Sequence, residues 1–331
     1  QLSRLYLVNS QPKEALVPAR RAWEMQSSNP QLTQIYAIAL QMNGKLKQAV
    51  RVYEQLYHMD PTDEELVGRM VDLYRELGNI ENAIELLDEM IKLGGQAKPA
   101  VQMQKAILLW ELKRDKEAVA LLDGLVKDFP DSDRVRYLAA FGHERMQSFP
   151  KALELYAGIP SNSGLRLDAD LHSFLILSKD KKRISDVLEL GKKLLADPQL
   201  TWEAFSVIAG VFGDAGKYED AVKAATDGYK RYPDKARLLF IKGVYQEKAG
   251  DRDGCIATMR EVIKADPDNS SAFNFLGYLF AEKGEHLDEA EKLINTALKL
   301  KPNDGFYLDS LGWVFYPVSY THLRAHETRE D

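Results

Sequence analysis

From Ser271 to Asp304 the apolar positions fall first at Phe273, Leu276, Gly277 and Phe280, then at Ala290, Ile294, Ala297 and Leu298. The i, i+3, i+4, i+7 spacing puts each set on one face of a helix. The pattern predicts two short amphipathic helices with Gly284 between them and Pro302 after them. Glycine can end a helix in the left-handed conformation without a Cβ penalty, and proline cannot continue one. Neither helix can bury its apolar face alone, so the pair needs neighbours.

Those neighbours are copies of the same pattern. The small residue early in the second helix returns as Ala15, Ala49, Ala83, Ala118, Ala152, Val187, Ala221, Cys255 and Ala290, at steps of 34 or 35 residues. The inter-helix glycine returns at Gly44, Gly78, Gly216 and Gly250, and the closing proline at Pro61, Pro130, Pro198, Pro233 and Pro267. A small residue in the first helix returns as Ala37, Ala106, Ala140, Ala209, Gly243, Gly277 and Gly312. Small residues at fixed offsets let two helices approach closely, with bulkier side chains such as Tyr53 and Leu87 filling the next layer.

The period, the helix–turn–helix layout and the residue pattern resemble the tetratricopeptide repeat family over essentially Gln1 to Tyr316. The resemblance implies an all-α fold, a right-handed superhelical solenoid of helix pairs. The run LGYLFAEKGEHLDEAEKLINTALKLKPNDGFYLDSLGWVFY is further similar to the C-terminal repeats of bacterial envelope-associated members.

In chain order, residues 1–29 read as a partial first repeat, with its second helix around Gln11 to Met25. Residues 30–304 read as eight repeats and 305–316 as a truncated further one. Lys113 and Arg114 replace the turn glycine of one copy, and Gly95 stands where a proline usually closes another. The copy at 165–201 is the most divergent: it lacks the turn glycine and carries the charged run Lys179 to Arg183, read as a solvated turn. Pro317 interrupts the last helix, where a proline costs about 3 kcal/mol. The string PVSYTHLRAHETRED that follows resembles the translation of a sequencing-library adapter. It is set aside as a non-native tail, and His322, His326 and Glu327 with it, despite their helical spacing. The natural chain is expected to continue with a second helix after Tyr316, and the truncated ends are expected to favour self-association.

Composition narrows the function. A net charge of −6 argues against a general nucleic-acid binder, and no apolar run is long enough to span a bilayer as a helix. Cys255 is the single cysteine, which excludes an intrachain disulfide and a cysteine zinc cluster. At a buried rung it reads as a core thiol. No phosphate loop, nucleophile elbow, HExxH or CxxC spacing is present. Neither catalysis, nor a cofactor, nor a metal is expected, and the compartment, cell envelope or cytoplasm, stays open.

In the family the first helices line a concave groove. The resemblance maps its inward positions onto Met103 and Ile107, Tyr137 and Phe141, His172 and Ile176, Ser206 and Gly210, Phe240 and Val244, Asn274 and Tyr278, and Asp309 and Trp313. Its candidate partner-binding residues are Met103, Ile107, Tyr137, Phe141, Phe240, Val244, Asn274, Tyr278 and Trp313. Such side chains either pack adjacent first helices together or receive a partner segment. The lysine, asparagine and arginine set of chaperone-tail-binding members is absent. The expected function is a non-catalytic scaffold that binds a protein or peptide in the groove. The alternative makes the array a substrate-recruiting or regulatory arm of an enzyme whose catalytic domain lies outside this sequence.

Overall fold

The computed structural model describes residues 1–93 and 98–315. The tail from Pro317 and the Gly95 position lie outside the described residues. Among the described residues the regular structure is entirely helical, as the periodicity requires. The chain divides into two compact units, Gln1–Ala169 and the chain from Asp170 on.

In the first unit, α1 (Leu2–Val8) and α2 (Pro12–Met25) form the opening pair. The short α1 precedes the segment around Gln11 to Met25 read from the sequence. The following pairs are α3 (Pro30–Met42) with α4 (Leu46–Met59) and α5 (Glu64–Glu76) with α6 (Ile80–Leu93). After them come α7 (Lys98–Glu111) with α8 (Asp115–Asp128) and α9 (Asp133–Arg145) with α10 (Phe149–Ala157). The division between units falls inside α11 (Arg166–Ser178). A short 3₁₀ turn, Lys181–Arg183, leads into α12 (Ile184–Leu195). The second unit continues with α13 (Trp202–Asp214) and α14 (Tyr218–Arg231), α15 (Ala236–Lys248) and α16 (Arg252–Ala265), and α17 (Ser270–Lys283) and α18 (Leu287–Leu300). Residues 305–315 form α19.

Local chemistry explains the layout. Most first helices open on a side-chain cap: Asn29, Asp63, Ser132, Thr201 and Asn269 each accept a hydrogen bond from a backbone N–H of the first turn. Such caps contribute about 1 kcal/mol each. Most second helices are entered through a left-handed residue, with φ of +71° at Gly44 and +85° at Gly250, and α18 through two, Gly284 and His286. The same turn is made by Lys113 and Gln147, both at φ +59°. The hairpin therefore imposes the left-handed conformation even where a side chain opposes it, at about 1–2 kcal/mol. The divergent pair α11–α12 uses the 3₁₀ turn instead.

The core is the repeated rung. Ala15, Ala49, Ala83, Ala118, Ala152, Ala221, Cys255 and Ala290 have no exposed surface, and Val187 has 1%. About one period apart, side chains tie successive repeats together within each unit. In the first unit the Asn43 amide donates to the Pro12 carbonyl (2.6 Å), the Tyr57 hydroxyl to Glu89 (2.9 Å) and Arg75 to Glu111 (2.5 Å). In the second, Arg231 donates to the Asp197 carbonyl (2.7 Å) and Tyr232 to the Leu200 carbonyl (2.7 Å). Ser270 and Tyr307 share a hydrogen bond of 3.1 Å.

Candidate functional site

In the first unit the mapped positions lie on α7 and α9. Met103 is only 8% exposed, so it belongs to the core and presents almost nothing to a partner; the open position of that pair is Ile107, at 38%. The two positions lie on one face of α7, so the difference is set by the neighbouring helices, which cover the earlier position and leave the later one open. Tyr137 and Phe141 are half-buried. The Phe141 ring meets Trp110 edge-on at 5.4 Å, and Tyr137 meets Tyr156 at 5.7 Å. Burial, reinforced by Asp168 and Glu144, raises the pKa of Tyr137. Trp110 was not among the mapped residues. It stands one turn beyond Ile107 with the Arg145 guanidinium 5.7 Å from its ring centre, and extending the mapping by i+3 would have found it.

Two arginines beside this face pair with carboxylates of the same unit. Arg75 bridges Glu111, and Arg145 donates to Asp115 at 2.8 Å.

In the second unit the early positions carry no aromatic. His172 is half-buried and Ile176 is 4% exposed. The Ser206 hydroxyl returns to the Trp202 carbonyl, and a Cβ at Gly210 would meet nothing within 4 Å. The later positions do carry aromatics. Phe240 and Val244 are half-buried against the core cluster that contains Leu276, Phe280 and Ile294. Phe240 meets Phe275 of the next first helix at 6.0 Å, and Tyr278 meets Trp313 of α19 at 6.4 Å, both edge-on. Each contact joins consecutive first helices, so packing uses part of these rings. It does not use all: Trp313 keeps 42% of its surface exposed. Asn274 lies one turn before Tyr278, and its Oδ1 is screened from solvent with no donor among the described residues.

Carboxylates collect around Tyr278. Its hydroxyl reaches Glu282 at 3.4 Å. Burial first, then Glu282, Asp309 and Glu247, raises its pKa. None of these three carboxylates pairs with a lysine, arginine or histidine of the described residues. Lys248, beside Glu247 in sequence, instead stands 5.7 Å from the centre of the Tyr245 ring.

Chemistry elsewhere is structural. Cys255 is fully buried, and burial pushes its thiol up to about 12, so it presents no thiolate at neutral pH. His143 is held by Asp123 at 3.0 Å. Among the described residues no group of three His, Cys, Asp or Glu is placed to hold a metal, and no helix is long and apolar enough to cross a membrane.

Stacked helix pairs with a buried small-residue rung and an aromatic first-helix face define a helical-repeat scaffold. Tetratricopeptide repeat models match residues 40–108, 100–132, 209–254 and 246–305, more than half of the chain, and the chain belongs to the tetratricopeptide repeat family. It is 32% identical over 174 residues to the TPR repeat-containing protein PA4667 of Pseudomonas aeruginosa, across 52% of this chain and 29% of that protein. The chain thus corresponds to under a third of that relative's length. The crystal structure of the C-terminal part of a TPR repeat-containing protein from Cytophaga hutchinsonii shares the fold. It has a TM-score of 0.52 and 13% identity, covering 83% of this chain and 98% of that one.

Proposed function

We propose that the chain is a non-catalytic protein-interaction scaffold whose first-helix faces receive an extended or helical segment of a partner protein. The observation that carries this reading is the set of partly exposed aromatics at equivalent positions: Tyr137 and Phe141 in one unit, and Phe240, Tyr278 and Trp313 in the other. A ring already held at one edge by a neighbouring ring loses little freedom on binding, and aromatics commonly account for the large truncation costs in interfaces, about 2 kcal/mol or more each. Ile107 supplies an aliphatic contact in the first unit.

The test is selection of a displayed random-peptide library against the immobilised chain, followed by the variant Tyr137→Ala/Phe240→Ala/Tyr278→Ala. Selected peptides are expected to lose at least about tenfold in affinity for the variant while its circular dichroism is unchanged. Undiminished binding by the folded triple variant would move the site to the second helices or the loops.

A further inference from the structure

The two aromatic faces differ in charge. In the first unit, two arginines beside the rings are matched by carboxylates, Arg75 by Glu111 and Arg145 by Asp115. In the second, Glu247, Glu282 and Asp309 are exposed, come from three successive first helices, and have no cationic partner among the described residues. Beside them stands the Tyr278 ring, edge to face with Trp313 at 6.4 Å. Three uncompensated carboxylates repel one another and raise the local negative potential. An aromatic face beside them adds the negative side of its quadrupole. A cation with an apolar stem satisfies both features: the ammonium or guanidinium meets the carboxylates and the ring, and the methylenes cover the aromatic surface. Asn274, on the same helix one turn earlier, has an acceptor oxygen with no donor among the described residues.

We propose that the Tyr278–Trp313 face of the second unit, with Glu247, Glu282 and Asp309, is a docking site for a lysine- or arginine-bearing segment of a partner protein. The inference rests on the reading of the first-helix face as a docking surface and adds the chemistry of its occupant. An acidic or neutral segment would leave the three carboxylates as unpaired as they are among the described residues. A basic one neutralises them at its own contact points.

The experiment uses the whole chain and three fluorescein-labelled peptides with blocked ends: four repeats of Gly-Leu-Lys, of Gly-Leu-Gln and of Gly-Leu-Glu. Fluorescence polarisation is expected to show the lysine peptide binding at least about tenfold more tightly than the glutamine peptide, with the glutamate peptide weakest. Raising salt until the screening length falls from about 10 Å to about 3 Å should close that gap. The variant Glu247→Gln/Glu282→Gln/Asp309→Asn should bind the lysine and glutamine peptides equally while keeping its helicity. Three results would overturn the proposal: equal binding of the lysine and glutamine peptides to the wild-type chain, undiminished preference in the triple variant, or no lysine-peptide binding up to about 1 mM. Tyr278→Ala separates the two readings. If the peptides bind alike but Tyr278→Ala releases them, the face is a docking site without charge selectivity. If it releases neither, docking on this face fails as well.

Discussion

Gly210 and Gly213 sit one turn apart on α13, and replacing each by alanine should affect stability differently. A helix-interior glycine costs about 1 kcal/mol relative to alanine. At Gly210 an added methyl meets nothing within 4 Å, so Gly210→Ala should return most of that amount. At Gly213 the methyl would stand 2.0 Å from Cε1, 2.1 Å from Cζ and 2.5 Å from the hydroxyl of Tyr245. Carbon atoms rest at about 3.5–4.0 Å, so the ring must retreat by roughly 1.5 Å. That retreat disturbs its stacking on Tyr218, at 6.4 Å, and its hydroxyl contact with the Gly210 carbonyl, at 3.4 Å. Overpacking of this kind costs about 1–3 kcal/mol, which outweighs or cancels the propensity gain. The two variants should therefore differ by about 1–3 kcal/mol. Because repeat arrays need not unfold in one step, the assay is amide hydrogen exchange across α13 to α15 alongside urea unfolding. Equal stabilisation by both alanines would refute the reasoning. So would a Gly213→Ala penalty that persists in a Tyr245→Ala background, where the cycle should show strong coupling.

Cys255 should resist alkylation in the folded chain at pH 8 and react on unfolding, as monitored by mass shift. Because burial raises its folded pKa, the unfolded chain ionises first. Its effect on stability is nil below the unfolded value near 9 and becomes a loss as pH rises toward about 12; Cys255→Ala should flatten that part of a stability–pH profile. Gln246→Leu should cost about 1–3 kcal/mol in urea unfolding, because the buried Thr258 hydroxyl donates to Gln246 at 2.7 Å and Gln246 donates to the capping Asp251 at 2.8 Å. Adding Thr258→Val should recover much of the loss. Hydrogen exchange should find α11 and α12 less protected than α13 to α18, since the divergent copy lacks the left-handed turn of the others; uniform protection would contradict this.

The helices were legible because the small residues at Ala49, Ala221 or Ala290 can serve only where two backbones nearly touch, and their period is independent of the surface sequence. The turn at Lys113 was visible only as a missing glycine. That Lys113 and Gln147 still take the left-handed conformation is decided by the hairpin and not by either residue. The first-helix face was legible by position but not by exposure. Met103 and Ile107 are four residues apart and both apolar, yet only the neighbouring helices determine that one is buried and the other open. Trp110, the Thr258–Gln246–Asp251 network and the placing of Glu247 and Glu282 with the mapped Asp309 around Tyr278 went unread for a related reason. Each depends on contacts made between helices, and a single-helix pattern carries no record of which side chain arrives from a neighbouring one.

The ties between repeats reach back 31 residues from Asn43 to Pro12, 32 from Glu89 to Tyr57, 34 from Arg231 to Asp197 and 37 from Tyr307 to Ser270. During synthesis, each new helix pair therefore finds its partners among residues made just before it. Translation at about 5–20 residues per second delivers a 34-residue period in roughly 2–7 s. Helices form in about a microsecond or less, far inside that interval. The nascent chain can thus close one rung before the next leaves the ribosome, and the apolar surface left uncovered at any moment is that of a single growing edge.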